Sequence, residues 1–205
     1  MELVKFFQTG GYFMYPILLV FALGLAIAIE RFLYISRTLG RTRKLWTQLS
    51  PTLKAQDLAQ AMQKTGKVKT PLATMLNYGF ARKQANSTRS GIESAMEEGM
   101  MEIMPELEQR THYLATFANI ATLLGLLGTI IGLIQAFTAV AGADPADKAD
   151  LLSASISVAM NTTAFGLIAA IPLILIHSYL NTKTARLIDT IEMAAVKCLN
   201  LIAND

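Results

Sequence analysis

Three stretches of the chain are apolar almost without interruption, and the polar positions are confined between them. The first runs from Gly10 to Ile29 and stops at Glu30-Arg31, the second from Tyr113 to about Ala141, and the third from Leu151 to Leu180. Each matches or exceeds the roughly 20 residues a helix needs to cross about 30 Å of hydrocarbon. Inside lipid every backbone polar group must find its partner within its own segment, so each run is expected to be a transmembrane helix. No strand-like alternation and no internal repeat interrupts this pattern. The expected fold class is all-α: an integral membrane protein with three transmembrane helices. The second and third are long and extend into a helical cytoplasmic region.

The polar region between the first two spans also carries helical periodicity. Short helices are expected over Asp57 to Lys64 and over Leu72 to Lys83. Asn86-Ser87-Thr88 offers an N-cap for a longer helix from Gly91 to Arg110. In that helix Met96, Met100, Met104 and Leu107 recur at spacings of four and three, opposite Glu97, Glu98, Glu102 and Glu108. A methionine stripe of this kind is more often a packing face than a ligand surface. Pro105 is expected to bend the helix, which then continues into the second span.

Charge orients the spans. Only Lys5 precedes the first run, whereas Arg31, Arg37, Arg41, Arg43 and Lys44 follow it closely. By the positive-inside rule the N-terminus lies outside and the following segment in the cytoplasm. Ala26-Ile27-Ala28 resembles a signal-peptide cleavage site, but a signal peptide would carry the opposite charge bias. The first run is therefore expected to be retained. The layout is then an outer segment 1–9, a span 10–30, a cytoplasmic helical region 31–112, and a span 113–141. An outer turn 142–150, a span 151–180 and a cytoplasmic tail 181–205 follow. Thirteen of the eighteen Lys and Arg fall in 31–112.

Composition narrows the function. The chain has 205 residues, 53% hydrophobic and 16% charged, with a net charge of +3. Soluble chains carry about 25% charged residues. The densest basic cluster, Arg41, Arg43 and Lys44, is too short for a nucleic-acid surface and reads as a membrane-flanking anchor. Cys198 is the single cysteine, so no internal disulfide and no CxxC zinc site is expected. His112 and His177 stand alone at the edges of their spans, without ligands at metal spacing. There is no GxxxxGK[ST] loop to hold a nucleotide. No catalytic constellation is present, and the expectation is a non-enzyme without cofactor or metal.

The polar residues inside the spans are more informative. At 100° per residue, Thr122, Gly125, Thr129, Gly132 and Ala136 share one face of the second span. Ala159, Thr163, Gly166 and Ala170 share one face of the third. Gly128 adds a further small position. Small residues of this kind let helices pack closely, and a threonine can bond its own helix four residues back. Alternatively, the two faces line a path, with Thr129 and Thr163 near mid-membrane. Neither face carries Asp, Glu, Lys or Arg. Ion movement through a bilayer needs an ionisable group, so a conducting chain of this kind would take one from a second subunit.

These residues carry a resemblance. Gly11 to Arg31, with Met14, Pro16 and Glu30-Arg31, resembles the first span of the ExbB/TolQ/MotA proton-channel family. Residues 121–132, ATLLGLLGTIIG, resemble its strongest motif, and residues 162–172, TTAFGLIAAIP, its second. Order, spacing and topology agree over nearly the whole chain, closest to the three-span ExbB and TolQ types. The resemblance implies an inner-membrane pentamer around the single spans of two ExbD- or TolR-like subunits. A membrane Asp of that partner would carry the proton. It implies that Thr129 and Thr163 line the path, and that a TonB- or TolA-like protein carries the work outward. Two positions depart from the family pattern. Val158 stands where close relatives have a Glu, and Thr122 where many have Pro. Asn161 and Thr162 add oxygens nearby, of the kind sodium takes, so both are candidate path residues. The competing function is a non-conducting scaffold that anchors a secretion or adhesion machine through its cytoplasmic helices.

Overall fold

The structure is a computed structural model that describes residues 10–203. The expected outer segment 1–9 and the last two residues of the tail lie outside the described residues. Six α-helices and no strand are present among those described: α1 Met14–Lys54, α2 Leu58–Gly66, α3 Pro71–Gln84, α4 Arg89–Glu108, α5 Thr111–Ala141 and α6 Lys148–Ile202. Three stretches of helix are long and apolar enough to cross a membrane. They lie in α1, α5 and α6. The all-α class with three spans is as the apolar runs required.

Three elements differ from the expectation. The first span does not end its helix at Glu30. α1 continues for 41 residues to Lys54. Its buried positions Ile35, Thr38, Thr42, Leu45, Leu49 and Leu53 repeat at three and four, with Arg37, Arg41 and Lys44 on the exposed side. The turn expected over 142–150 is shorter, because α6 already begins at Lys148. Finally, the helix carrying Pro105 does not run on into the second span. Proline removes a backbone donor, yet α4 survives to Glu108. The break comes at Arg110, whose φ of 63° is left-handed, and α5 starts afresh at Thr111.

The chain divides into two compact units. One comprises residues 10–30 with Arg110–Tyr179, the other Arg31–Gln109 with residues 180–203. In the first unit, many large apolar side chains point away from the protein. Leu123 is 62% exposed, Ile134 59% and Leu175 65%, a surface that requires lipid or neighbouring protein rather than water.

The second unit is a helical bundle whose helices carry polar caps. Asp57 caps α2 by accepting from Gln60 N at 2.9 Å, and Thr70 caps α3 by accepting from Ala73 N at 3.3 Å. Thr88 caps α4 by accepting from Gly91 N, as the Asn86-Ser87-Thr88 signal implied. α3 packs on α4 where Gly99 lets the backbones approach; a Cβ there would lie 2.9 Å from Met75 Cα. The buried stripe of α4 is Ile92, Ala95, Met96, Gly99, Ile103 and Leu107. Met96 and Leu107 of the expected stripe are in the core, and Met100 and Met104 sit at its half-buried edge.

Arg31 explains why α4 reaches Glu108. It is fully buried, and its guanidinium donates to the carbonyls of Leu107 and Glu106. These are last-turn carbonyls, which have no partner inside the helix and sit at its negative dipole end. α4 has no basic residue of its own in that turn. The guanidinium also lies 4.7 Å from the centre of the Tyr34 ring. The Tyr34 hydroxyl donates to Glu106 Oε1 at 2.8 Å. Burial, with the Glu106 carboxylate beside it, pushes the Tyr34 phenol up to about 12.

Candidate functional site

The two small-residue faces meet inside the first unit. α5 and α6 approach so closely that backbone touches backbone. A Cβ on Gly125 would lie 3.3 Å from the Cα atoms of Gly166 and Thr163. A Cβ on Gly166 would lie 2.7 Å from the Ala121 carbonyl oxygen and 3.0 Å from Gly125 Cα. Two turns along, a Cβ on Gly132 would lie 2.9 Å from Ala159 Cβ. Small residues permit such crossings because no side chain holds the helices apart. Ala136, Ala159 and Ala170 are likewise buried.

Between these glycines, the hydroxyls of Thr129 and Thr163 are hydrogen-bonded to each other. Thr163 also reaches the Gly125 carbonyl at 2.9 Å. Thr129 reaches Gly125 O at 3.2 Å and the Ala159 carbonyl at 3.2 Å. Each hydroxyl carries one proton. Two protons are thus shared among one hydroxyl–hydroxyl contact and two carbonyls. Thr129 can donate to Thr163 while Thr163 donates to Gly125 O. With the order reversed, Thr163 donates to Thr129 and Thr129 to Ala159 O. Both threonines are only half-buried. No Asp, Glu, Lys or Arg stands in residues 113–141 or 151–180.

The other sequence candidates separate from this pair. Thr162 is buried and turned to the start of α1: its hydroxyl donates to Gly10 O at 2.6 Å, with Val158 O at 3.0 Å. Gly128 makes room for that contact, since a Cβ there would meet the Thr162 side chain and Phe13 Cβ. Thr122 bonds only its own helix, at the Ala118 carbonyl 3.1 Å away. Asn161 is half-buried, and nothing among the described residues bonds its amide. Val158 faces the entry of α1: its Cγ1 would lie 3.3 Å from a Cβ on Gly11. Among the described residues, no group of His, Cys, Asp and Glu could hold a metal ion. The carbonyls of Gly125 and Ala159 escaped the sequence, because a backbone acceptor has no signature in residue type. Only the glycine that exposes it is visible.

Residues 67–193 match the description MotA/TolQ/ExbB proton channel family. The chain belongs to this family. Both motif stretches, 121–132 and 162–172, lie inside the matched residues. A biopolymer transport protein ExbB homolog of Methanothermobacter thermautotrophicus is 30% identical over 193 residues, covering 93% of this chain and 67% of its own. TolQ of the Tol-Pal system of Haemophilus influenzae is 36% identical over 93 residues, 45% of this chain and 40% of that one. The biopolymer transport protein ExbB of Pseudomonas putida is 26% identical over 195 residues, 89% of this chain and 59% of its own. The chain thus spans between 40% and 67% of the length of these three relatives. With three apolar helices and this membership, it is a membrane protein of a transport and channel family.

Proposed function

We propose that this chain is the shell subunit of an inner-membrane motor that converts ion motive force into mechanical work. Five copies surround the single spans of two ExbD- or TolR-like subunits, and a TonB- or TolA-like protein carries the work to the outer membrane. The N-terminus and the turn after α5 face the periplasm. The second unit faces the cytoplasm.

The observation that carries this reading is the Thr129–Thr163 hydroxyl pair. It provides reversible donors and acceptors in spans that hold no Asp, Glu, Lys or Arg of their own. An ion path needs such a group, so the titrating carboxyl comes from the partner. A carboxylic acid that reaches the pair meets hydroxyls able to switch between accepting and donating. Protonation and release of that acid bias the partner between two packings against α5 and α6. Moving one charge across about 100 mV supplies roughly 2.3 kcal/mol, several times thermal energy, so the step is adequately driven. The exposed apolar faces of α5 and α6 favour neighbouring copies arranged as a closed ring.

The experiment is native mass spectrometry of the chain purified in mild detergent together with whatever co-purifies. The expected result is a closed ring of five copies with a protein of one apolar span containing Asp. A monomer at every concentration, with no such partner, would leave the scaffold role as the better account.

A further inference from the structure

We infer that a groove in the second unit, between α3, α4 and the C-terminal part of α6, receives the basic cytoplasmic tail of the single-span partner. This docking rests on the motor role proposed above. The groove measures 280 Å³ and has a floor of Met75, Met96, Met100 and Val196. Glu93, Glu97 and Glu192 stand around it, and no basic residue lines it. All three carboxylates are exposed. None makes an ion pair among the described residues. Val196 is 59% exposed, so the apolar floor is open at one side.

The chemistry selects the occupant. Methionines are unbranched and polarizable, and they conform to irregular apolar side chains. The volume falls just below the range of about 300–1,000 Å³ typical of small-molecule pockets, so it takes a few side chains of a peptide segment, not a folded domain. Three uncompensated carboxylates repel anionic headgroups and nucleic acid, and they attract Lys and Arg. A single-span protein with its N-terminus in the cytoplasm carries Lys and Arg just before its span, by the same charge rule that orients this chain. Such a tail has the charge the rim lacks, and apolar residues among its basic ones enter the methionine floor. α6 carries both Thr163 of the path and Glu192 of the rim, so the docked tail would tether the partner to the helix it works against.

The test uses the full chain co-expressed with its single-span partner, with a photo-crosslinking amino acid in place of Val196. Irradiation is expected to join Val196 to partner residues that precede the partner's span. A second chain carries Glu93→Lys, Glu97→Lys and Glu192→Lys. Its crosslink yield should fall roughly tenfold, a loss of about 1.4 kcal/mol, and acidic substitutions in the partner tail should restore it. Co-purification through the spans should persist in that variant. A crosslink to a second copy of this chain, to an unrelated protein, or to nothing while the partner still co-purifies overturns the tail-docking site and leaves the motor role standing. Absence of any co-purifying single-span protein overturns the motor role, and the docking with it.

Discussion

Gly166 is the position at which one added carbon tests the α5–α6 crossing. In Gly166→Ala the new Cβ lies 2.7 Å from the Ala121 carbonyl oxygen and 3.0 Å from Gly125 Cα, both backbone atoms of the opposite helix. No rotamer change relieves a clash with backbone. To reach an ordinary contact of 3.4 Å, the helices must part by about 0.7 Å at this point. A gap of about 0.5–1 Å forfeits a quarter to a half of the dispersion between facing atoms. The same displacement takes the Thr163–Gly125 O contact from 2.9 Å and the Thr129–Ala159 O contact from 3.2 Å past hydrogen-bonding range. Overpacking of this kind costs about 1–3 kcal/mol, against a gain of up to about 1 kcal/mol from replacing a helical glycine. The net expectation is a loss of about 0–2 kcal/mol together with a sharp fall in activity. Gly40 is the control: it lies inside α1 with nothing within 4 Å of a Cβ, so Gly40→Ala should gain about 0.8–1 kcal/mol. Thermal unfolding in detergent, followed by fluorescence-detected size exclusion, reads both; about 1 kcal/mol moves the midpoint by roughly 2–4 °C at this size. If Gly166→Ala and Gly40→Ala stabilise alike, the backbone contact at the crossing is not as close as described here.

Three further outcomes follow from the second unit and from the topology. Burial pushes the Cys198 thiol up to about 12, so it should stay protonated and resist maleimide at pH 8 until the protein is denatured. In a Cys198→Ser background, an impermeant maleimide applied to intact cells should then label Ala146→Cys and spare Ala81→Cys, both exposed positions; labelling of Ala81→Cys alone would invert the proposed orientation. The Tyr34 phenol is held up at about 12, chiefly by burial and then by Glu106, so the folded protein keeps this proton where an ordinary tyrosine loses it near 10. Its contribution to stability is full below pH 10 and is lost as pH rises toward 12. Ultraviolet difference titration should show Glu106→Gln lowering this ionisation only in part, because burial remains.

The spans were legible because lipid imposes a demand that few sequences meet by accident: some twenty residues with almost no charge. The continuation of α1 was harder to see. Threonines stand at buried positions 38, 42 and 52, where an apolar residue would have marked the stripe, and basic residues fill the outer face. At α4 the sequence drew attention to Pro105, yet the break falls at Arg110. The reason lies 76 residues away in sequence, where Arg31 supplies donors to the α4 C-terminus. The faces of Thr129 and Thr163 followed from helical periodicity alone. Their mutual bond did not, since periodicity places a residue on a face and says nothing of the height at which two helices meet. Thr162 was grouped with them on its polarity, but it sits about 100° around the helix from Thr163, and Gly10 takes its hydrogen bond.

The central claim, that the Thr129–Thr163 pair is a step in an ion path and not only a packing contact, is open to one direct measurement. Each hydroxyl is replaceable for packing: with Thr129→Val, Thr163 keeps Gly125 O, and with Thr163→Val, Thr129 keeps Gly125 O and Ala159 O. A single lost hydroxyl contact therefore costs about 1 kcal/mol or less in a membrane bundle. Thr138→Val removes an exposed hydroxyl that bonds only Ile134 O, roughly opposite Thr129 on α5, and serves as the control. The assay is ion-driven uptake in cells, with membrane levels equalised by immunoblot. Normal levels are expected in all three variants, with uptake abolished or nearly so in Thr129→Val and Thr163→Val and unchanged in Thr138→Val. Full uptake in both Thr129→Val and Thr163→Val would contradict it and leave the pair as a packing contact.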